Sequence, residues 1–517
     1  MDKQYLVGTD IGTQGTKTVV VNLAGEVVGT GSSFYSPEQP HPSWAQQWPE
    51  VWEKATYDSI RQAVSSSNVD TENIAGVAVS GLYGGSGIPV DKEMEPVHPC
   101  LIWMDRRATE EVRWVKDNVD LDRLFEITGN YVDSYYGYAK MLWLKNQRPE
   151  VWQKIHLFIP PSNYIEYKLT GELVVDYSSA GNIGGVFDLH ELTWSQEACE
   201  TLGIPINLMP ERLVASDEII GKITASAADK TSLPEGTPMI AGGIDAPMAA
   251  LSAGAFAEGD NVAMMGTSTC WGIIHEGEGL TQKLVSMPHV ANSKKKIYTW
   301  GGSATTGALV SWFKDQFGTI EEEVGEKINL DPFVILDMEA KKIPPGSEGL
   351  LALPYFKGER SPIWDPRASG TLIGLSLYHT KAHVFRALLE SAAYSLRHNI
   401  EIGKKVGIPL KNTTSIVGGV SKSELWTKII ADVTGRDIII PSGGVGAPFG
   451  DALLAGVATG AVEDYADIEN WITENRVTSP EEENTQIYDR YYELYLKLYD
   501  RTKSIMHALA ETAEEER

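Results

Sequence analysis

Asp10-Ile-Gly-Thr-Gln-Gly-Thr-Lys17 joins two apolar runs near the start of the chain, Tyr5-Leu-Val7 and Thr18-Val-Val-Val21. Asn22-Leu-Ala-Gly25 then turns the chain into a third run. Apolar runs separated by short clusters of Gly and polar residues are typical of β-strands joined by tight turns. The stretch therefore predicts a β-hairpin with a loop of small residues.

The chemistry of this loop suits a phosphate group. Gly12 and Gly15 carry no Cβ and let a ligand approach the backbone closely. Backbone N–H groups can form a concave anion site there, and further donors come from the side chains of Thr13, Gln14 and Thr16. Asp10 would repel a bare phosphate, but it is explained if a divalent cation lies between the two. The alternative is an ordinary hairpin with a Gly-rich turn.

Composition limits the class of protein. With 517 residues, the chain is long enough for two or three domains. The net charge of −26 argues against nucleic acid and anionic membranes as partners, because both attract basic surfaces. A nucleotide needs only a local site and is not excluded.

Cysteine usage and hydropathy point to the cytoplasm. Three widely spaced cysteines make neither a disulfide framework nor a Cys-based zinc site: Cys100, Cys199 and Cys270. No secretory apolar core follows the N-terminus, and no apolar run is as long as a membrane span.

The second half repeats the pattern of the first. Thr237–Asp245 reads as a strand that ends in two glycines and an acid, and Asn261–Gly272 as a second strand–turn–strand unit around Gly266-Thr-Ser-Thr269. Ser415–Trp426 follows as strand, Gly-Gly turn and helix, capped by Ser421 or Ser423. Ala447–Gly460 is a helix of small residues. Two phosphate-type hairpins predict a duplicated architecture.

Five motifs in this order resemble the FGGY carbohydrate kinases, members of the actin-like ATPase superfamily, and are most similar to the xylulokinase branch. They are Asp10–Lys17, Gly243-Ile-Asp245, Gly266–Thr269, Gly358-Glu-Arg-Ser-Pro362 and Val417-Gly-Gly-Val-Ser421. The resemblance implies an α/β fold of two actin-like (ribonuclease H-like) domains flanking a central cleft. Residues 1–251 would form the N-terminal domain, which binds sugar and carries the base, and residues 252–517 the ATP-binding domain.

The resemblance also assigns roles by position. Asp245 resembles the catalytic base that activates the sugar hydroxyl, and Asp10 and Asp245 resemble the residues that position Mg²⁺. ATP would be bound by Gly12, Thr13, Gln14, Lys17, Gly266, Thr267, Ser268, Gly418, Gly419 and Ser421. Sugar contacts vary in the family at Tyr83, Gly84, Arg106, Tyr135, Asp245 and Ala246. Taken alone, Asp245 could equally cap a helix, and Arg106 and Arg107 could form surface ion pairs.

Two positions depart from the xylulokinase pattern. Leu82-Tyr-Gly-Gly85 stands where xylulokinases have Gln-Met-His-Gly, and Ala246 stands where they have Asn. Gly84 and Ala246 are therefore expected to leave room in the pocket. The expected substrate is a ketopentose such as xylulose, with ribulose, a polyol of the glycerol or erythritol type, or gluconate as alternatives.

Two other classes of protein remain as alternatives. One is an actin-like ATPase acting on a protein partner, and the other is a catalytically silent sugar-binding regulator. For the kinase, the expected partners are a small sugar and ATP, without nucleic acid or membrane, and a homodimer is left open.

Overall fold

The computed structural model describes residues 3–82, 84–442, 446–472 and 475–515. Its strands are β1 Tyr5–Ile11, β2 Gly15–Asn22, β3 Val27–Phe34, β4 Gln46–Gln47, β5 Ile74–Gly81, β6 Ile88–Val90, β7 Cys100–Leu101, β8 Leu157–Ile159, β9 Val175–Asp176, β10 Phe187–Asp188, β11 Thr193–Trp194, β12 Leu213–Val214, β13 Ile219–Lys222, β14 Pro238–Ile244, β15 Asn261–Met265, β16 Thr269–His275, β17 Val285–Pro288, β18 Ile297–Gly301, β19 Leu351–Leu353, β20 Thr371–Ile373, β21 Thr413–Val417, β22 Asp437–Pro441 and β23 Asn475–Thr478. Its α-helices are α1 Pro49–Ser67, α2 Thr109–Asn118, α3 Leu121–Thr128, α4 Gly137–Gln147, α5 Pro149–Trp152, α6 Pro161–Thr170, α7 Tyr177–Ile183, α8 Gln196–Leu202, α9 Ala225–Thr231, α10 Asp245–Ser252, α11 Gly307–Phe317, α12 Thr319–Ile328, α13 Pro332–Ala340, α14 Lys381–Lys405, α15 Glu424–Thr434, α16 Ala447–Thr459, α17 Ile468–Trp471 and α18 Glu482–Glu515.

The chain divides into two compact units, and each is built from more than one segment. The first unit contains Met1–Glu258, Ile274–Thr299 and Ser442–Thr473. The second contains Gly259–Ile273, Trp300–Pro441 and Glu474–Arg517. Two late segments therefore pack with the N-terminal part. The expected boundary after residue 251 stays a prediction.

A six-stranded sheet in the order β13-β14-β5-β1-β2-β3 forms the centre of the first unit. β1, β2 and β3 are antiparallel, which confirms the hairpin expected from the opening stretch. β5 lies parallel to β1, and β14 lies parallel to β5. The carboxyl ends of these three parallel strands consequently meet at one edge of the sheet.

Glycines let helices approach both faces of this sheet. A Cβ built on Gly31 of β3 would lie 2.0 Å from the carbonyl oxygen of Ser59 in α1. A Cβ on Gly8 of β1 would lie 1.8 Å from the carbonyl oxygen of Pro448 in α16. Backbone-to-backbone contact of this kind is available only where the strand residue has no side chain.

The second unit contains strands in the order β16-β15-β21-β22-β23. The pairings run antiparallel, parallel, parallel and antiparallel. The order β2-β1-β5-β14-β13 in the first unit has the same succession. Both units thus share one α/β topology, as expected from the two hairpins in the sequence.

Most of the predicted elements are present. Pro49 lies in the first turn of α1 and Gly171 ends α6 in a left-handed conformation. Ser423, not Ser421, caps α15, since its Oγ accepts a hydrogen bond of 2.9 Å from the backbone N of Trp426. β7 is short and ends at Leu101, so the following residues 102–107 are not part of a strand. Among the described residues, no helix has both the length and the apolar character needed to cross a membrane.

Candidate active site

Three carboxyl groups converge at the edge where the parallel strands of the first unit end. Asp10 lies in β1 and is the register partner of Ser80 in β5, while Asp245 directly follows β14 on the other side of β5. Asp451 reaches the same place from α16. Oγ of Ser80 donates a hydrogen bond of 2.7 Å to Oδ2 of Asp451 and lies 3.4 Å from Oδ1 of Asp10. Parallel pairing therefore brings together acids that are far apart in sequence.

The surroundings make ionisation of all three carboxyls unfavourable. Removal from water raises the pKa of Asp10 to about 7, although the neighbouring charge of Lys17 opposes the shift. The same effect raises the pKa of Asp245 well above its ordinary value, and the charge of Asp10 adds to it. Burial, then the charges of Asp10 and Asp245, raise the pKa of Asp451. Such a cluster is stabilised by a cation.

Asp245 keeps a free acceptor atom. Its Oδ1 is buried and has no hydrogen-bond partner in the described part of the chain. The helix-cap alternative is not supported, because α10 begins at Asp245 with no side-chain cap hydrogen bond. Hard carboxylate oxygens suit Mg²⁺, which is held by one or two carboxylates together with substrate phosphates. Within the described ranges, no three His, Cys, Asp or Glu side chains form a complete metal site of their own.

The opening loop is held by its neighbours and leaves side chains exposed. The backbone N of Gly12 donates a hydrogen bond of 3.1 Å to the carbonyl of Gly15, which closes the turn. Oη of Tyr35 donates a bond of 2.7 Å to the carbonyl of Gly12. Gln14 and Lys17 are exposed. A ligand can therefore meet these two side chains without disturbing the turn.

The second hairpin forms an open turn in the second unit. Gly266 and Thr267 are exposed, and a Cβ built on Gly266 would meet nothing within 4 Å. The carbonyl of Gly266 accepts a hydrogen bond of 2.8 Å from the backbone N of Gly307, at the start of α11. Ser268 closes the turn, because its carbonyl accepts a bond of 3.0 Å from the backbone N of Gly266.

The Gly-Gly turn lies directly against this hairpin. Gly418 has φ of 101°, and a Cβ there would lie 2.6 Å from the carbonyl oxygen of Met265. Gly419 faces open space. Oγ of Ser421 donates a hydrogen bond of 2.7 Å to the carbonyl of Gly418, so that Ser421 stabilises the turn. The structure thus brings the predicted phosphate and adenosine motifs of the second unit together.

The motif around Glu359 supports the second hairpin. Oε1 of Glu359 accepts hydrogen bonds from the backbone N of Ala304 at 2.7 Å and of Arg360 at 2.8 Å. Nη2 of Arg360 donates to the carbonyls of Thr269 and Ser303, at 2.8 Å and 3.0 Å. Burial raises the pKa of Glu359 to about 7. The motif Gly358–Pro362 was identified from the sequence only by its resemblance to the family pattern, which assigned it no role.

Aromatic side chains fill the expected free space at Gly84. A Cβ built there would lie 2.7 Å from Cε2 of Tyr135 and 3.0 Å from Cβ of Trp103. The expectation of room at this position is therefore wrong, because the ring of Tyr135 and the Cβ of Trp103 occupy the space that a side chain would fill. Ala246 is buried at 6% exposure, and Tyr83 lies outside the described residues.

The two arginines behave differently. Arg107 is buried, forms an ion pair of 2.7 Å with Asp105 and lies 3.8 Å above the ring of Trp44, so the surface alternative is wrong for it. Arg106 is partly exposed and pairs with Asp133, whose Oδ1 also accepts a hydrogen bond of 2.8 Å from the backbone N of Tyr135.

Further residues of the first unit were missed from the sequence. Ile244, next to Asp245, lines a small cavity with Gly84, Ser179 and Asn182. Asn182 also lies 3.2 Å from Oη of Tyr135. Asp451 and Lys140 could have been found from the sequence, because each is a charged residue in an otherwise apolar helical stretch. Nothing in the sequence marks Asp133 or Asn182 as functional, because loops and short helices commonly contain such residues.

Known proteins match this chain over almost its whole length. Residues 5–252 match the N-terminal domain of the FGGY family of carbohydrate kinases, and residues 261–459 match its C-terminal domain. The chain is 31% identical to a xylulose kinase of Bacillus subtilis over 98% of its length and 99% of the relative. It is 27% identical to a gluconokinase of the same organism over 96% and 95%. The crystal structure of a xylulose kinase from Rhodospirillum rubrum matches with a TM-score of 0.88 and 28% identity, covering 98% of this chain and all of the other.

Proposed function

Because this chain belongs to the FGGY family of carbohydrate kinases, we propose that it transfers a phosphoryl group from ATP to a hydroxyl of a ketopentose such as xylulose. The observation that carries the proposal is the buried, unpartnered Oδ1 of Asp245 beside the cavity that Gly84 and Asn182 line. The xylulose kinases among the relatives support this choice of sugar.

Asp245 acts as the general base in this proposal. A sugar hydroxyl is a weak nucleophile and needs an acceptor for its proton as the phosphoryl group arrives. Oδ1 of Asp245 provides that acceptor, because no described protein group occupies it. Asp245 must be ionised to do so, and its raised pKa lets it hold the proton once transferred.

Asp10 and Asp245 would hold Mg²⁺. Their oxygen donors and the mutual repulsion of the buried carboxyls fit a hard divalent cation. Bound there, Mg²⁺ would neutralise charge on the phosphate oxygens. Ser80 donates a hydrogen bond of 2.7 Å to Asp451 and so fixes the position of this third buried carboxyl next to Asp10 and Asp245.

In the second unit, ATP would bind at the hairpin around Gly266 and at the Gly-Gly turn. A Cβ built on Gly266 or Gly419 would meet nothing within 4 Å, so a phosphate group can approach the backbone closely at both glycines. In the first unit, the exposed side chains of Gln14 and Lys17 are the proposed phosphate donors. Phosphoryl transfer depends mainly on such positioning and charge neutralisation.

Gluconate is the second candidate, since gluconokinases are also relatives. Its carboxylate would need a cation. Arg106 is the candidate cation, but its guanidinium is already paired with Asp133. This pair favours a neutral sugar. Ribulose and polyols remain alternatives within the same chemistry, and an ATPase acting on a protein would hydrolyse ATP without any sugar.

A substrate panel tests the proposal. ADP release would be measured with xylulose, ribulose, glycerol, erythritol and gluconate, each at matched concentration, with no sugar as the blank. We expect the highest kcat/KM with xylulose and little turnover in the blank. Asp245→Asn should lower kcat by at least about 100-fold, with ATP binding retained in calorimetry. Equal turnover with and without sugar would overturn the proposal.

We also propose a cytoplasmic location, which the small number and wide spacing of the cysteines Cys100, Cys199 and Cys270 support. A homodimer stays a prediction.

A further inference from the structure

Lys140 of α4 is a fully buried cation next to the predicted sugar pocket, with a relative exposure of 0%. Its Nζ donates hydrogen bonds to the backbone carbonyls of Gly84 at 2.8 Å and Ser134 at 3.0 Å, and to that of Tyr135. An ammonium group has three N–H donors and no acceptor. Each donor therefore has one carbonyl, and no donor is left over.

These carbonyls belong to two separate loops. Gly84 lies in the loop that follows β5, whereas Ser134 and Tyr135 lie in the loop that precedes α4. Gly84 and Tyr135 are both predicted sugar contacts. They are close neighbours, because a Cβ built on Gly84 would lie 2.7 Å from Cε2 of Tyr135. The start of α4 is packed equally closely, since a Cβ on Gly137 would lie 2.0 Å from the carbonyl oxygen of Gly85.

A buried ammonium is costly unless hydrogen bonds compensate for lost water. An apolar side chain could fill the same volume without that cost, but it could not bond to loop carbonyls. We propose that Lys140 is a positioning residue, which ties the Gly84 loop to the Tyr135 loop and thereby holds the sugar pocket in its binding shape. The inference rests on the proposed function, because it concerns the sugar site of that reaction.

The protonation state of Lys140 provides a second line of support. Burial lowers its pKa to about 7, and the charge of Arg106 adds to this shift. The neighbouring groups that oppose the shift are Asp105, Asp133 and Cys100. The ring of Tyr135 also faces Nζ, at 5.9 Å. A neutral amine has only two N–H donors and would leave one of the three carbonyls without a partner.

The same helix offers a matched control. Lys145 also donates from Nζ to a backbone carbonyl, that of Gly203 at 2.6 Å, but this contact is exposed. Lys140→Met and Lys145→Met therefore make the same chemical change on one helix, and only the first removes the link between the two loops.

The experiment measures KM for xylulose and for ATP in both variants at pH 7. Lys140→Met should raise the KM for xylulose about tenfold or more, the usual scale for a lost charged hydrogen bond, and leave the KM for ATP within about twofold. Lys145→Met should change neither. Equal increases for xylulose and ATP, or no increase, would overturn the inference.

Wild-type enzyme keeps the inference testable if Lys140→Met does not fold. Its KM for xylulose should rise between pH 6.5 and pH 8.5 as Lys140 loses its proton, while the KM for ATP stays level. A flat profile for xylulose would contradict the role. If wild-type enzyme phosphorylates another sugar of the panel instead of xylulose, the choice of sugar in the proposed function fails, and the same comparison is made with that sugar.

Discussion

Nε1 of Trp103 donates a hydrogen bond of 3.0 Å to Oγ1 of Thr13. Thr13 belongs to the opening loop that we expect to bind phosphate, and Trp103 lies against Gly84 in the sugar pocket. Trp103 therefore lies next to both predicted substrate sites of the first unit, with its indole N–H at Thr13 and its Cβ near Gly84. Movement of the ring by a bound sugar would change the direction of the Thr13 hydroxyl.

Trp103→Phe tests this link, because it removes the N–H donor and keeps an aromatic ring. A net loss of about 1 kcal/mol for one hydrogen bond corresponds to roughly fivefold. We expect kcat/KM for ATP to fall by about that factor at saturating sugar. Steady-state kinetics with ATP varied would measure it. Trp114, an exposed tryptophan in α2, provides the control variant Trp114→Phe, which should behave as wild type. Identical kinetics for both variants would mean that the hydrogen bond has no functional part.

Asp10→Asn should change how stability depends on pH. The pKa of Asp10 is raised from 3.8 to about 7, so the folded state binds its proton more tightly than the unfolded state does. Stability from this group is therefore present at low pH and is lost as pH rises from about 4 to about 7. The Asn variant avoids that loss and should be more stable than wild type at pH 8, by up to about 4 kcal/mol.

Chemical unfolding in the absence of Mg²⁺ at pH 5 and pH 8 would measure this difference. The advantage of Asp10→Asn should be larger at pH 8 than at pH 5, and Mg²⁺ with ATP should stabilise wild type more than the variant. A variant that gains nothing at pH 8 would show that Asp10 is not desolvated as described.

Asp133→Asn should relax the preference for a neutral sugar. The Asn side chain keeps an oxygen for the backbone N of Tyr135 but removes the charge that pairs with Arg106. The guanidinium of Arg106 is then free to bind a substrate carboxylate by donating hydrogen bonds to it. We expect kcat/KM for gluconate relative to xylulose to rise about tenfold, the scale of one charged hydrogen bond.

A coupled assay with both sugars would measure that ratio. Glu197→Gln is the control, because it breaks an exposed ion pair with Arg123 in the same unit, away from the pocket. An unchanged ratio in Asp133→Asn would remove Arg106 from the sugar site.

Glu359→Gln should weaken ATP binding without affecting the sugar. At pH 8, above its pKa of about 7, Glu359 is charged, and its hydrogen bonds to Ala304 and Arg360 are at full strength. Neutralising it should loosen the loop that supports the second hairpin. We expect the KM for ATP to rise about three- to tenfold.

Initial rates at pH 8 with ATP and then sugar varied would separate the two effects. Glu390→Gln is the matched control, since it neutralises another buried glutamate of the second unit, one that pairs with Arg386 at 2.9 Å. It should lower the unfolding temperature but leave the KM for ATP unchanged. Equal changes in KM for ATP in both variants would argue for a general loss of stability.

Local sequence was sufficient for the elements that carry the site. Alternating apolar residues and small turn residues predicted the hairpin around Gly12, and the run ending in Gly-Gly-Ile-Asp predicted that a strand ends just before Asp245. These features depend on residues within a few positions of one another, and the structure confirms both elements.

Contacts between distant segments could not be read in this way. Asp451 reaches Ser80 only because α16 covers the first sheet, and no local pattern encodes that packing. The absence of a side chain at Gly84 suggested space, whereas Tyr135 fills it from another loop. In both cases tertiary packing decided the environment.

The contact between Gly8 and Pro448 also has a consequence for synthesis. β1 leaves the ribosome long before α16, which covers one face of its sheet. Until α16 is made, Leu6 and Ala78 lack the helix that buries them in the folded protein. The nascent chain must hold this apolar face until α16 has been translated, and a fragment ending at Glu258 would expose it permanently.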